Sequence, residues 1–260
     1  MRMDNNDTKT LTTIERTFEI VELIQELDGA RVSQVADELD MPRSTTHNYL
    51  GTLCEVGYLV KHGDEYHIGL QFLGLGGHAA ARHPGYQLLR TKVNQLAEET
   101  NERAQVIAEE NGRGVYIYEM TGNNAVQTDV QIGKHVHLHT TSAGKAILAH
   151  LPEERLDQII DYWGLPERTE HTITDEEELK DCLQRIRERG YAFNDEERIQ
   201  GQRAVGVPVL DEKNDIVTAL SVSGPKNRLK GDWFTQEIPD ILLGIANEVE
   251  LNLKFSGRVR

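Results

Sequence analysis

Two short stretches hold the side chains best suited to chemistry. In the first, Arg43, Ser44, Thr45, His47 and Asn48 follow directly on Asp40-Met41-Pro42. An arginine guanidinium can fork onto a guanine edge or clasp a phosphate, asparagine can pair with adenine in the major groove, and Ser, Thr and His reach phosphates or bases. At about 100° per residue, a helix over residues 42–56 turns Thr46, Leu50 and Leu53 one way. Ser44, Asn48 and Gly51 then point the other way, with Arg43, Thr45 and His47 on the flanks. In the second stretch His135, His137 and His139 alternate with Val136 and Leu138, so a strand here would present three imidazoles on one face. Three such nitrogens could hold zinc or another borderline metal. The same pattern also fits an exposed strand face, or a histidine bonded to the backbone.

Other chemistries find no support in the motifs. Gly144-Lys145 lacks a phosphate-loop glycine five residues earlier, where His139 stands, and Ala146 replaces the Ser/Thr that would hold magnesium. Gly74 to Gly77 has no strand before it to make a dinucleotide site. Activated Ser/Cys motifs, paired zinc cysteines and H-E-x-x-H are absent from the sequence, so no catalytic residue and no cofactor is expected. An enzyme would need the first stretch to be a purely structural module.

The elements that must position these residues follow from periodicity. Apolar residues at Leu11, Ile14, Phe18, Val21 and Ile24 give a first helix over 11–27. Asp28-Gly29-Ala30 ends it, and Ser33 is the expected N-cap of a second short helix with Val35, Ala36 and Leu39. Asp40, a residue that tolerates left-handed backbone, makes the turn into the third helix, with Pro42 in its first turn. Two short β-type runs, 57–61 and 65–69, follow around Gly63, completing a winged helix-turn-helix. Residues 70–82 predict a linker helix, broken at Pro84-Gly85 and followed by a helical stripe at Leu89, Val93 and Leu96. Beyond it, strands are expected at 104–110 and 114–120 around Asn111-Gly112, and at 125–131, 205–210 and 216–223. Helices are expected at 143–150, 152–162, 176–189 and 238–253. The fold class is α+β: a mainly helical head over residues 1–69, a linker over 70–84, and an α+β domain with an antiparallel sheet over 85–260.

Composition bounds the function. The 260 residues carry 43 Asp/Glu against 28 Lys/Arg, a formal charge of −15, and residues 1–75 alone hold 13 acidic and 6 basic side chains. No apolar run reaches the roughly 18 residues that cross a bilayer, the first nine residues carry no secretory h-region, and Cys54 and Cys182 each sit alone. A cytoplasmic chain without membrane contact is expected. The acidic head opposes DNA phosphate, which is usually met by Lys and Arg with counterion release. A surface with 18 Arg and only 10 Lys under that acidic excess suits concentrated salt, where the Debye length is about 3 Å and only contacting side chains matter. Arg43, Lys61 and Arg31 are the local phosphate candidates.

Five motifs in order resemble the isocitrate-lyase-regulator (IclR) family of transcription factors over about residues 11–253. They are Pro42-Arg43-Ser44-Thr45-Thr46 leading to Leu50 and Leu53; Tyr66-His67-Ile68-Gly69 with Leu73-Gly74; the run from Leu138 through Ser142-Ala143-Gly144-Lys145 to Ala149; Gly190-Tyr191 through Glu197 to Gly201; and Ser221-Val222-Ser223-Gly224-Pro225 with Arg228-Leu229. The resemblance implies a DNA-binding head that reads a pseudo-palindromic double-stranded operator. It also implies a linker helix that helps to dimerise, and a GAF-like or profilin-like domain that binds a small organic acid or sugar-derived metabolite. Homodimers or dimers of dimers are implied too. Carried over by position, the effector residues are Ser142, Ala143, Gly144, Asn194, Glu197, Ala204, Ser221 and Ser223. Asn194 stands where the family often has Asp, and Ala204 where Cys or a small polar residue can occur. Metal sensing through His135, His137 and His139 stays open as an alternative.

Overall fold

The computed structural model describes residues 10–123 and 131–256. The chain divides into two compact units, one ending at Ala79 and one beginning at Ala80.

In the first unit, α1 (Thr12–Glu26) buries Ile20, Val21 and Ile24 against α2 (Val32–Glu38) and α3 (Arg43–Glu55). Leu50, Leu53 and Thr46 face inward from α3, as the 3.6-residue period requires. The turn between α2 and α3 passes through Asp40 in the left-handed region, φ 47°. Ser33 is not the N-cap expected of it. Strand β1 (Ala30–Arg31) pairs with β3 (Glu65–Ile68), the N-cap falls on Arg31, two residues earlier than expected, and Gln34 Oε1 accepts from the Arg31 N–H at 2.9 Å. Pro42 likewise precedes α3 instead of entering its first turn. The wing is β2 (Leu59–His62) paired with β3 around Gly63, with Tyr66 buried beneath it. Helix α4 (Gln71–Ala81) begins by packing Phe72 edge-on to Tyr58 at 4.8 Å, and the boundary between the units falls within this helix.

The second unit is a six-stranded antiparallel sheet with helices on both faces. Its strands are β4 (Arg103–Glu110), β5 (Arg113–Thr121), β6 (His135–His137), β7 (Ala192–Asp195), β8 (Gln202–Leu210) and β9 (Ile216–Pro225), in the order β6-β5-β4-β9-β8-β7. Asn111 and Gly112 both take positive φ, 52° and 78°, and close the β4–β5 hairpin in two residues. Alternation sorts the side chains by face. Val106, Val205, Val207, Val209, Leu220 and Val222 pack under α5 (Pro84–Thr100) and α9 (Ile238–Ser256). Ile107 and Ala219 face α6 (Ser142–Leu148), α7 (Glu153–Trp163) and α8 (Glu176–Arg189). Pro84 opens α5, with Arg82 and His83 between it and the end of α4 at Ala81, and a π turn at Trp233–Glu237 precedes α9. Most of the strand expected at 125–131 lies outside the described residues.

Candidate functional site

On the head, Arg43, Ser44, Thr45, His47 and Asn48 are all exposed on α3, while Thr46 between them is fully buried and donates from Oγ1 to the Pro42 carbonyl at 3.2 Å. The burial pattern leaves the helix one polar outward face. Lys61 is exposed on the wing with its Nζ 5.2 Å from the centre of the Tyr66 ring. Arg31 is paired with Glu65 at 3.3 Å, which leaves Arg43 and Lys61 as the basic side chains nearest the outward face.

In the second unit the sheet face under α6 holds a run of polar side chains where a core would ordinarily be apolar. Ladder register puts Gln105 on β4 opposite Ser221 on β9, Ser221 opposite Gly206 on β8, and Ser223 opposite Ala204. Both serine hydroxyls donate to Gln105 Oε1 at 3.4 Å, and all three residues are buried. Gly206 is required by close approach: a Cβ there would lie 2.5 Å from the Ala143 nitrogen, so only glycine lets the start of α6 cross this strand. Thr140, Thr141 and Ser142 form the wall above, and Thr141 caps α6 by accepting from the Gly144 N–H at 2.9 Å. Asn194 reaches across from β7 and donates to the Thr140 carbonyl at 2.7 Å. Arg198 also lines this space, its Nη1 donating to the Tyr116 hydroxyl at 2.7 Å.

Together these groups line a cavity of about 20 Å³, room for one water. It shares Thr140 and Arg198 with a second cleft of about 300 Å³. The cavity's own charge is the Arg198 cation. Helix α6 has only seven residues and its first turn is already capped, so the electrostatic pull on an anion comes from the guanidinium more than from the helix end.

Of the eight positions carried over, Ser142, Asn194, Ala204, Ser221 and Ser223 line this cavity. Ala143 and Gly144 are buried behind it, and Gly144 lies against the Leu138 backbone, where a Cβ would meet the carbonyl oxygen at 2.1 Å. Glu197 turns away and forms an ion pair with Lys145, which is only 2% exposed. The Thr172 hydroxyl donates to the Glu197 carbonyl at 2.6 Å, so the loop carrying Arg198 is pinned on both sides. Gln105, Tyr116, Thr140, Thr141, Arg198 and Gln202 were missing from the sequence reading. The expected alternation of Ser221 and Ser223 could have pointed to Gln105 only with the β4–β9 register in hand.

The three histidines do not form the face expected of them. Strand β6 ends at His137, and Leu138–Thr140 coil into a 3₁₀ turn that takes His139 off the strand. His139 Nε2 lies 3.2 Å from the Pro166 carbonyl, and its ring stands edge-on to that of His137 at 5.8 Å. Burial, with Arg113, His139 and Arg168 nearby, lowers the His137 pKa to about 4. Burial lowers His139 to about 4 as well, against the opposing pull of the Pro166 carbonyl. Among the described residues no group of three His, Cys, Asp or Glu side chains is placed to hold a metal ion. No helix among them is long and apolar enough to cross a membrane.

Comparison with known proteins agrees with this architecture. The IclR helix-turn-helix domain matches residues 13–63, and the bacterial transcriptional regulator IclR C-terminal domain matches residues 78–251. The HTH-type transcriptional regulator ArcR of Halobacterium salinarum is 32% identical over 96% of this chain and 97% of its own. The transcriptional repressor IclR of Escherichia coli is 29% identical over 94% and 90%. The crystal structure of the Thermotoga maritima IclR, 28% identical, superposes with a TM-score of 0.79 over 94% of this chain and 99% of its own. An IclR homolog of Microbacterium hydrocarbonoxydans, complexed with 4-hydroxybenzoate, shares the fold with a TM-score of 0.78 over 92% and 97% at 20% identity. With both domain families matched in order and nearly full-length relatives on each side, the chain belongs to the IclR family of transcriptional regulators.

Proposed function

We propose that this regulator reads a pseudo-palindromic operator with Arg43, Ser44, Thr45, His47, Asn48 and Lys61, and that it senses a small organic acid or sugar-derived metabolite in the polar cavity of its second unit. The domains are residues 1–69 for DNA and 85–260 for effector, with 70–84 as linker. The observation that carries the sensing role is the convergence of Ser221, Ser223 and Gln105 on one buried sheet face, with Arg198 lining the same cavity. Burying polar groups costs free energy unless they are hydrogen-bonded. A core that keeps three of them facing a cavity, joined to one another only by two long 3.4 Å hydrogen bonds, serves recognition better than stability. The 4-hydroxybenzoate carried by the Microbacterium homolog supports an acid as the ligand class.

The working unit is a homodimer or a dimer of dimers, in which two α3 helices enter successive major grooves about 34 Å apart. Effector binding shifts the balance between two arrangements of the linkers, and it does so only to the extent that the effector's affinity differs between them. The regulated genes are catabolic, and the setting is a salt-rich cytoplasm, in keeping with the acidic, Lys-poor sequence. Replacing Ser221 and Ser223 together by Ala tests the sensing role. Effector affinity in calorimetry should fall by roughly tenfold or more, since each lost hydrogen bond removes about 1 kcal/mol, while operator affinity stays unchanged. Effector affinity equal to that of the wild type would remove the cavity from the account.

A further inference from the structure

Ser221 and Ser223 each carry one hydroxyl proton, and both protons are directed at the same acceptor, Gln105 Oε1. The ladder brings this about: Gln105 stands directly opposite Ser221 and diagonally from Ser223, with all three side chains on one sheet face. Toward the cavity each serine therefore offers lone pairs, which suit a donor and not an acid. The amide is in the opposite condition. Its oxygen takes two donors, as many as it has lone pairs, and its NH2 has no partner among the described residues. Both bonds are long, 3.4 Å, in keeping with one oxygen shared between two hydroxyls. The neighbouring carboxylate on this face, Glu119 opposite Gln105 on β5, pairs with Arg103 at 3.3 Å and does not take the amide. Gln105 is only 5% exposed, yet it lines the cavity of about 20 Å³, so its NH2 is held largely out of bulk water and is left for a polar group that enters there. A buried donor without a partner is costly to the fold alone.

We infer that Gln105 is the residue of this cavity that selects an acid: its side-chain amide donates to the effector's carboxylate, and Ser221 and Ser223 act through it as positioning residues that turn its oxygen away from the ligand. The inference rests on the effector reading above and deepens it by naming the donor. A carboxylate makes a charge-assisted bond with the NH2, whereas an uncharged carboxamide meets it with a weaker acceptor, so an acid is preferred over its own amide. Gln105→Glu reverses that chemistry at constant shape. Its carboxylate still accepts from both serines, repels an acid, and accepts from the N–H groups of an amide.

The test is calorimetric titration of the full chain with 4-hydroxybenzoate, propionate and glycerate, each beside its carboxamide. At least one acid should bind roughly tenfold more tightly than its amide, and Gln105→Glu should erase that preference. Gln105→Leu should weaken the acid by roughly tenfold or more, and adding Ser221→Ala/Ser223→Ala should then cost nothing further, because the serines act through the amide. Gln105→Glu keeps an acceptor for both hydroxyls and carries the test if the leucine variant does not fold. If the serine substitutions weaken the acid equally whether Gln or Leu stands at 105, the serines touch the effector themselves; the inference falls and the effector cavity stands. If Gln105→Glu keeps the wild-type preference for the acid, the donor assignment falls in the same way. If the serine and Gln105 substitutions all leave binding untouched, or no acid binds at millimolar concentration, the effector reading falls and the role of Gln105 with it.

Discussion

Lys145→Met is the substitution that asks most of the second unit. Lys145 sits on α6 at 2% exposure and its ammonium contacts both carboxylate oxygens of Glu197, Oε1 at 2.6 Å. Methionine fills nearly the same volume, so packing is kept and the charge is lost. Glu197 is then left buried and unpaired, which in comparable cases costs about 3–5 kcal/mol. For a unit of this size each kcal/mol lowers the melting temperature by about 2–4 °C, so a fall on the order of 10 °C is expected. Because both groups are largely out of solvent, molar salt should change the loss little. The assay is thermal unfolding of Lys145→Met, Glu197→Leu and the double variant, monitored in the same KCl concentration. The double variant should regain most of the stability, since two apolar groups in place of a buried pair leave no orphan charge. Effector affinity should fall in the single Lys145 variant, because Glu197 adjoins Arg198 on the same loop. If the double variant loses the sum of the two single losses, the pair does not couple and the positioning argument for Arg198 is refuted.

Two further outcomes are expected. His137 and His139 hold folded pKa values of about 4 against an ordinary 6.5, so the unfolded chain binds more protons between those limits. Their contribution to stability is fully present above about pH 6.5 and is lost as pH falls toward 4; His137→Gln should flatten that slope in denaturant titrations, and an unchanged slope contradicts the buried neutral imidazole. Operator affinity should depend weakly on salt. With Arg43 and Lys61 as the main phosphate cations of each head, a dimer releases about four counterions and log K against log salt should be no steeper than about −4. Anisotropy over a KCl series giving a slope near −8 would show that phosphate contacts dominate after all.

Much of the molecule was legible because its elements obey short-range rules. The helix-turn-helix reads directly from the 3.6-residue stripes and from Asp40, and the β4–β5 hairpin from Asn111-Gly112, both of which take the left-handed conformations their residue types favour. What was misread depends on partners distant in sequence. Ser33 is a good N-cap by type, yet pairing of Ala30 and Arg31 with the wing fixes the helix start elsewhere. The alternating histidines look like one strand face until Leu138 and Thr140 pack into the core and curl the chain. Strand β7, with polar Asn194 and Asp195, has no apolar alternation and is a strand only because β8 lies beside it. Ser221 and Ser223 share a face by their spacing alone, whereas Gln105, Tyr116 and Arg198 join them through register and a loop that no local pattern encodes.

The whole account depends on the exposed face of α3 entering duplex DNA. Selection of genomic fragments by the purified chain, repeated with Arg43→Ala/Asn48→Ala, tests that most directly. The wild type should enrich a site with two-fold symmetry and half-sites about one helical turn apart. The variant should fold normally and lose roughly tenfold or more of its affinity for that site, since each good base contact discriminates by about 1–3 kcal/mol. Enrichment of no sequence by the wild type, or of the same site with undiminished affinity by the variant, would contradict the account.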